Sequence, residues 1–432
     1  MKNNFETAQY VLEALKRAGA DEAQCVVYSG KTDELNVDGG KFSLIRSTFN
    51  TNISMKAIKN HKKGTIGINQ ATKEAIDKAA LECLAAAESS VEDENEVIAP
   101  FNGKKNFKTG IMQADRDKLF DRIEEFLKQT KEQFPKIMLE QLISNFEASE
   151  KVYMNTNGTV FSYEHGEYAF NTMFSAHEGE KSSSFNGYFC VTDNLDKPFL
   201  DIGMQKSLLE DAQNQLDTVS SGEKFVGKVI YSPDCFNELI ETALANFASD
   251  GVLIDGTSPW KDKLNSAVAS KKLNLRSIPL DERTVVGEQF TSDGYETENM
   301  DIIKDGVLKT FILSQYGSKK TGFKRSLNSG RNLEVIPGDT KLCDMIKNID
   351  RGLIINRFSG GQPSTNGDFS GVAKNSFLIE NGKIGSAVSE TMISGNIADM
   401  LNNIVAISSE QMSDGLTFMP WCEFDGVTVC GK

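Results

Sequence analysis

Three glycine-centred dipeptides, each set among apolar runs, constrain the fold of this chain more than any other feature. Asp305-Gly306 separates Ile302-Ile303 from Val307-Leu308, and Asn381-Gly382 separates Phe377-Leu378-Ile379 from Lys383-Ile384. Asn157-Gly158 stands inside a strand-like stretch from Ile137 to Thr192. Asn-Gly and Asp-Gly accept the left-handed backbone of a two-residue hairpin turn, so each predicts a pair of antiparallel strands. Antiparallel sheet must therefore be a large part of the structure.

Helical periodicity interrupts this pattern. Ala8, Val11, Leu12 and Leu15 recur at helical spacing and Gly19 supplies a stop. Short alternating segments follow: Cys25 with Val27, Leu35 with Val37, Phe42 with Leu44, and Ile53 with Met55 and Ala57. The run from His61 to Gly64 reads as a hairpin connection. A second helix starts at Thr72, whose hydroxyl can cap it, with Ile76, Ala79, Ala80, Cys83, Leu84 and Ala87 as its buried stripe. Ser89 to Glu96 reads as a solvated acidic connection. Further helices are expected from Asp115 to Phe134, around Met204 to Leu216, from Ser232-Pro233 onward, and after Asn396 with Ile397, Met400, Leu401, Ile404 and Val405 inward.

The class expected is α+β. A mixed helix and sheet region spans 1–220, with a possible sub-boundary near 90–105. A strand-rich, partly open β-barrel-like region spans 221–432.

Composition narrows function by exclusion. The chain has 432 residues, with 61 acidic and 47 basic side chains, for a net charge of −14. That balance argues against direct nucleic-acid binding, which depends on Lys and Arg neutralising phosphates, and against a basic membrane surface. The seven cysteines are scattered with no CxxC pair, as expected of reduced thiols. The opening Met1-Lys2-Asn3-Asn4-Phe5-Glu6 lacks the apolar run of a signal peptide, and no uncharged apolar stretch could span a bilayer. A cytoplasmic protein without a membrane partner is the expectation.

Only three histidines are present. His61 falls in a turn among lysines, and His165 is expected at a solvated strand or turn edge. His177-Glu178 opens like a zinc-protease helix, but Lys181 stands where the second histidine belongs. The Gly- and Ser-rich run from Ser359 to Gly371 could offer backbone amides to an anion or a peptide carbonyl, or serve as a flexible connection. Cys422 and Cys430 flank Asp425-Gly426 and read as a terminal hairpin, since no further ligand completes a metal set. The residues by themselves point to no cofactor, no metal and no catalytic group.

Several short stretches resemble the TldD/PmbA family, whose members are often labelled modulators of DNA gyrase. They are Asp255-Gly256-Thr257-Ser258, Lys304-Asp305-Gly306-Val307-Leu308, Thr321-Gly322-Phe323-Lys324-Arg325, and Gly360-Gly361 with Gly367-Asp368-Phe369-Ser370. Leu378 to Ile384 and Ser394-Gly395-Asn396 continue the series in the expected order, and the first helix with Arg17 to Ala23 fits more loosely.

The resemblance implies a heterodimeric metalloprotease whose zinc-bearing subunit carries HExxxH on a helix preceding a GTS turn. In this chain the corresponding helix reads Ile240-Glu241-Thr242-Ala243-Leu244-Ala245. Both histidine positions, Ile240 and Ala245, are aliphatic and only Glu241 remains. The resemblance therefore implies a PmbA-type member, a pseudoenzyme that pairs with a zinc-bearing TldD-type subunit, or with itself, around an extended peptide. The alternatives are a stand-alone peptidase or hydrolase with unrecognised catalytic residues, and a peptide-binding module without chemistry.

Overall fold

The computed structural model describes residues 3–360, 363–389 and 391–431. Gly361 and Gln362 of the glycine-rich run, with Met1, Lys2, Glu390 and Lys432, lie outside the described residues.

The first sheet is built from unusually long strands. Helix α1 (Asn4–Ala18) leads into β1 (Glu22–Asp38), β2 (Lys41–Lys59) and β3 (Lys62–Ile68). Helix α2 (Lys73–Ser89), β4 (Lys104–Gly110) and α3 (Arg116–Gln133) follow, then β5 (Ile137–Asn155), β6 (Val160–Glu178), β7 (Lys181–Ser182), β8 (Asn186–Thr192) and α4 (Gln205–Asn214). The strand order is β3-β2-β1-β5-β6-β4, with β7 and β8 also on β6. What alternation suggested were short segments are two strands of 17 and 19 residues, paired from Glu22↔Ile58 to Asp38↔Lys41. Their far ends leave Leu44, Ile45 and Phe49 exposed.

Because side chains alternate across a strand, the sheet has two distinct faces. Cys25, Val27, Leu35 and Val37 of β1 belong to the face covered by helices, packed with α1 and α2 at one end and α3 and α4 at the other. The α2 stripe is buried residue for residue as its periodicity predicts, with Thr72 capping through Ala75 N–H. Gly19 ends α1 at φ 109°, where a Cβ would be strained.

The second sheet comprises β9 (Thr218–Val219), β10 (Phe225–Tyr231), β11 (Leu275–Ser277), β12 (Met300–Lys304), β13 (Val307–Leu308) and β14 (Leu333–Val335). It continues with β15 (Arg351–Ile355), β16 (Arg357–Gly360), β17 (Asp368–Lys374), β18 (Phe377–Glu380) and β19 (Lys383–Val388). Last come β20 (Thr391–Asn396), β21 (Ile404–Ser413) and β22 (Phe418–Cys430). Helices α5 (Pro233–Phe247), α6 (Asp250–Ile254), α7 (Gln315–Thr321), α8 (Leu342–Lys347) and α9 (Ile397–Asn402) are interspersed. Strand β10 sits between antiparallel β22 and parallel β15. A strongly curled half-barrel sheet among packed helices agrees with the α+β, partly open barrel expected.

Two of the three turn signals behave as two-residue hairpins, with Asp305-Gly306 and Asn381-Gly382 both at positive φ. The third does not. Asn157 keeps negative φ, and β5 and β6 are joined by residues 156–159. The Asn155 carboxamide oxygen accepts the Asn157 and Thr159 N–H groups, at 3.1 and 3.0 Å, and holds this wider loop.

Other expectations are corrected by long-range packing. Helix α9 stops at Asn402, and Ile404 and Val405 enter β21 instead. Cys422 and Cys430 lie on one strand, where Gly426 (φ 80°) accompanies a register shift against β10, rather than on a hairpin. The described ends of the Ser359–Gly371 run are not loose: Ser359 and Gly360 of β16 pair with Val372 and Gly371 of β17. Nor is Ser89–Glu96 simply solvated. Glu96 is buried and ion-paired with Lys56 (2.9 Å) and Lys63, and Asp93 accepts Tyr316 Oη (3.0 Å) and Lys320 Nζ (2.9 Å). All seven cysteines are free, and Cys343 and Cys430 are exposed.

Asp33 joins β1 to the start of α3. Burial would raise its carboxyl, but hydrogen bonds from Ser47, Arg116 (2.7 Å) and Lys31 (3.0 Å) prevail and hold it down at about 2. An unfolded Asp titrates near 4, so this clamp stabilises fully above about pH 4 and is lost as pH falls through 2. Asp33→Asn is expected to cost about 2 kcal/mol at pH 7 and much less near pH 2, read by urea unfolding at both values.

Candidate functional site

Helix α5 carries the three positions at which the family resemblance would place a zinc motif. Ser232 caps it by accepting the Cys235 N–H, and Pro233 at the first helical position sacrifices no donor. Phe236, packed edge-on at 5.8 Å against Phe424 of β22, fixes which face turns inward. Ile240 is 1% exposed among that apolar core, whereas Glu241 and Ala245 are exposed. Positions five apart on a helix point about 140° apart, so Ile240 and Ala245 do not converge. Neither carries a donor atom, and Glu241 is a single carboxylate accepting the Asn237 amide at 3.1 Å. This set does not fit a zinc ion. Among the described residues no group of three or more His, Cys, Asp or Glu side chains is arranged to hold a metal.

Glu241 does occupy a notable place. It borders a cavity of about 430 Å³ with Tyr231, Cys235 and Phe358, and a larger one of about 750 Å³. The larger cavity lies between the uncovered face of the first sheet and α5 with the loops around residues 286–290, 330–333 and 416–417.

Register explains the sheet wall of that cavity. Tyr28, Lys151 and Tyr163 form one cross-strand row on β1, β5 and β6, Gly30, Ser149 and His165 the next, and Thr32, Glu147 and Glu167 a third. The Tyr28 ring reaches over Gly30, where a Cβ would stand 2.5 Å from its hydroxyl, and donates to Glu147. Burial, reinforced by Glu147, raises the Tyr28 phenol well above its ordinary value. His165, expected at a solvated edge, is instead 3% exposed in mid-strand. Its Nδ1 meets Thr109 Oγ1 at 2.6 Å and its Nε2 lies 3.1 Å from Glu167 Oε2. His177 is on β6 rather than on a helix, beside Ser175 Oγ (2.9 Å), and His61 lies in the β2–β3 turn.

One loop closes this wall. Phe290, from the segment between β11 and β12, packs on Tyr153 and Phe161 of the first sheet. Asn102 Nδ2 donates to Gly294 O at 2.7 Å, and Lys105 pairs with Glu296 at 2.6 Å. Arg325 pins the loop from the other side, with Nη2 2.7 Å from Asp293 and its guanidinium 4.0 Å over the Tyr295 ring.

The family stretches thus make backbone geometry. Asp305-Gly306 is a turn, Ser258 Oγ joins Phe247 O to Trp260 N, Asn396 caps α9 and bonds Asp368 (2.9 Å), and Arg325 holds the loop. Sequence reasoning missed Tyr28, Glu147, Lys151, Glu167 and Arg331. The available signal was polar residues at alternate positions 147-149-151 and 163-165-167, which mark one face of a strand.

The architecture is α+β, with a cavity between a long-stranded sheet and a capped helix, and the comparisons with known proteins define its class as metallopeptidase-related. Residues 224–431 match the PmbA/TldA metallopeptidase C-terminal domain. Metalloprotease PmbA of Escherichia coli O157:H7 is 32% identical over 152 residues, 34% of each chain. The Metalloprotease PmbA homolog of Haemophilus influenzae is 26% identical over 274 residues, 62% of this chain and 59% of that one. The chain thus spans between a third and under two thirds of the length of these curated relatives. TldE from Thermococcus kodakarensis superposes with TM-score 0.85 at 20% identity, covering 98% of this chain and all of that one. A Bacteroides thetaiotaomicron protein carrying a gyrase-modulator label gives 0.84 at 21%, over the full length of both. At these identities the structural likeness is one of fold. Residues 224–431 thus belong with the C-terminal domain of the TldD/PmbA family, and the chain as a whole shares the fold of TldE.

Proposed function

We propose that this protein is a PmbA-like, non-catalytic subunit of a TldD/PmbA-type metalloprotease complex, and that it holds extended peptide for a zinc-bearing TldD-type partner. The single observation carrying this reading is the donor set on α5, with Ile240 packed in the core and Ala245 without a ligating atom. A hydrolytic zinc needs three side-chain ligands around its water. The uncovered sheet face and the cavity of about 750 Å³ beside Glu241 support peptide as the occupant, since a cavity of this size accepts a short chain segment. Net charge of −14 favours this over direct DNA binding. Among the described residues no helix is long and apolar enough to cross a membrane, which suits a complex in the cytoplasm.

The purified chain is expected to bind no stoichiometric zinc and to cleave no unfolded peptide, with cleavage appearing when a zinc-bearing family subunit is added. Metal analysis and a fluorogenic peptide assay on each chain alone and mixed check this. Cleavage by this chain alone would establish a stand-alone hydrolase instead.

A further inference from the structure

The larger cavity is lined by two cations, Lys151 and Arg331, that no carboxylate among the described residues meets in an ion pair. Lys151 is half-buried on β5, and its Nζ rests 4.9 Å from the centroid of the Phe290 ring. Burial holds its ammonium below the ordinary lysine range, and the charge of Arg331 lowers it further. Among the described residues, neither Lys151 nor Arg331 donates a side-chain hydrogen bond or forms an ion pair. Glu288 attracts Lys151 from a distance, but one of its oxygens already accepts the Ser329 N–H at 2.9 Å. In a protein with 61 acidic against 47 basic residues, two unpaired cations facing one cavity are conspicuous.

The carboxylates on the same wall lie elsewhere and are engaged. Glu147 and Glu167 occupy the row two removed from Lys151, about 13 Å along the strands, with Tyr28 on one and His165 beside the other. The sheet wall is therefore polarised along its strands, with Lys151 at one end and Glu147 and Glu167 at the other, while Glu288 faces Lys151 from the loop. A multiply charged anion such as phosphate would meet repulsion from Glu147, Glu167, Glu241 and Glu288. A single carboxylate at the end of an otherwise uncharged chain suits both ends, and charge-assisted hydrogen bonds from an ammonium and a guanidinium are the strongest available to it.

We propose that Lys151 and Arg331 receive the free C-terminal carboxylate of a bound peptide, so that this subunit selects chain ends. The inference rests on the peptide-binding reading above and adds an orientation to it: the last residue lies against Tyr163 and Phe290, and the chain runs toward Glu147.

The test is competitive equilibrium dialysis of the purified chain against mixed-sequence tetrapeptides, supplied equally as free acids and as C-terminal amides, read by mass spectrometry. Free acids are expected to be retained about tenfold over amides, a ratio that one charge-assisted contact supplies. The ratio is expected to fall toward one in Lys151→Met and in Arg331→Gln, while amides are still retained. Equal retention of acids and amides by the unaltered chain would overturn the terminal-carboxylate assignment and leave peptide binding standing. Amides rich in Asp and Glu retained as well as the free acids would assign the cations to side-chain carboxylates, overturning it likewise. Retention of neither would overturn the peptide-binding reading as well.

Discussion

Gly166→Ala is expected to abolish soluble folded protein, at a cost of more than about 4 kcal/mol. A Cβ at Gly166 would stand 1.6 Å from Ile111 O and 3.1 Å from the Phe146 ring. The first obstacle is backbone, which has no rotamer to escape into. The approach is also reciprocal, since a Cβ on Gly110 (φ 65°) would lie 2.0 Å from Gly166 O. These two glycines face each other where parallel β4 meets β6, and β6 carries His165 and Glu167 on either side of the contact. Relief by moving β4 away would break the Thr109 contact to His165 and open the cavity wall. Gly67→Ala is the control: nothing lies within 4 Å of its Cβ, and its stability should change by less than about 0.5 kcal/mol. Expression yield and thermal unfolding of both variants decide the matter. A folded Gly166→Ala protein of ordinary stability would refute the account.

Arg325→Met is expected to cost about 3 kcal/mol and to loosen the loop that closes the cavity. The guanidinium bonds both Asp293 oxygens (2.7 and 3.1 Å) and Thr291 (2.7 Å). Burial pushes the Asp293 carboxyl up, but Arg325 overcomes it and leaves the group below its usual value. Removing the arginine strands a largely buried carboxylate. The sign with pH follows: in the unaltered protein the depressed carboxyl contributes stability above the unfolded value near 4, lost as pH falls through the folded one. The variant's deficit should therefore be largest at neutral pH and shrink in acid. Hydrogen exchange should show the segment around residues 286–296 opening in the variant while α2, across the first sheet, stays protected. Unchanged protection there would sink the idea that Arg325 pins the loop.

The same glycine that dominates the first prediction explains why part of the site was illegible. His165-Gly166 looks like a turn, because a polar residue followed by glycine commonly marks one. Here the glycine serves close approach of another strand, and the histidine beside it is buried in mid-strand. Composition cannot distinguish those uses, since both exploit a missing Cβ. On α5 the reading was fuller: cap, first proline and apolar stripe are all local features. That Glu241 borders two cavities was not visible, because the other walls of the larger one come from residues more than forty positions away on either side.

What the amino-acid order determined by itself is what neighbours within a turn or two of chain can decide. The α2 stripe, the Thr72 and Ser232 caps and the Asp305-Gly306 and Asn381-Gly382 turns depend on helical period, one hydroxyl or one positive φ. Strand length, the ends of α9 and the union of Cys422 and Cys430 in one strand depended on partners far along the chain. The cavity wall belongs to this second kind. Tyr28, Lys151, Tyr163 and Arg331 share a surface only because register aligns three strands and a loop lays Phe290 across them. Pairing energy is spread over the whole ladder, and a one-residue slip would turn every one of those side chains to the opposite face.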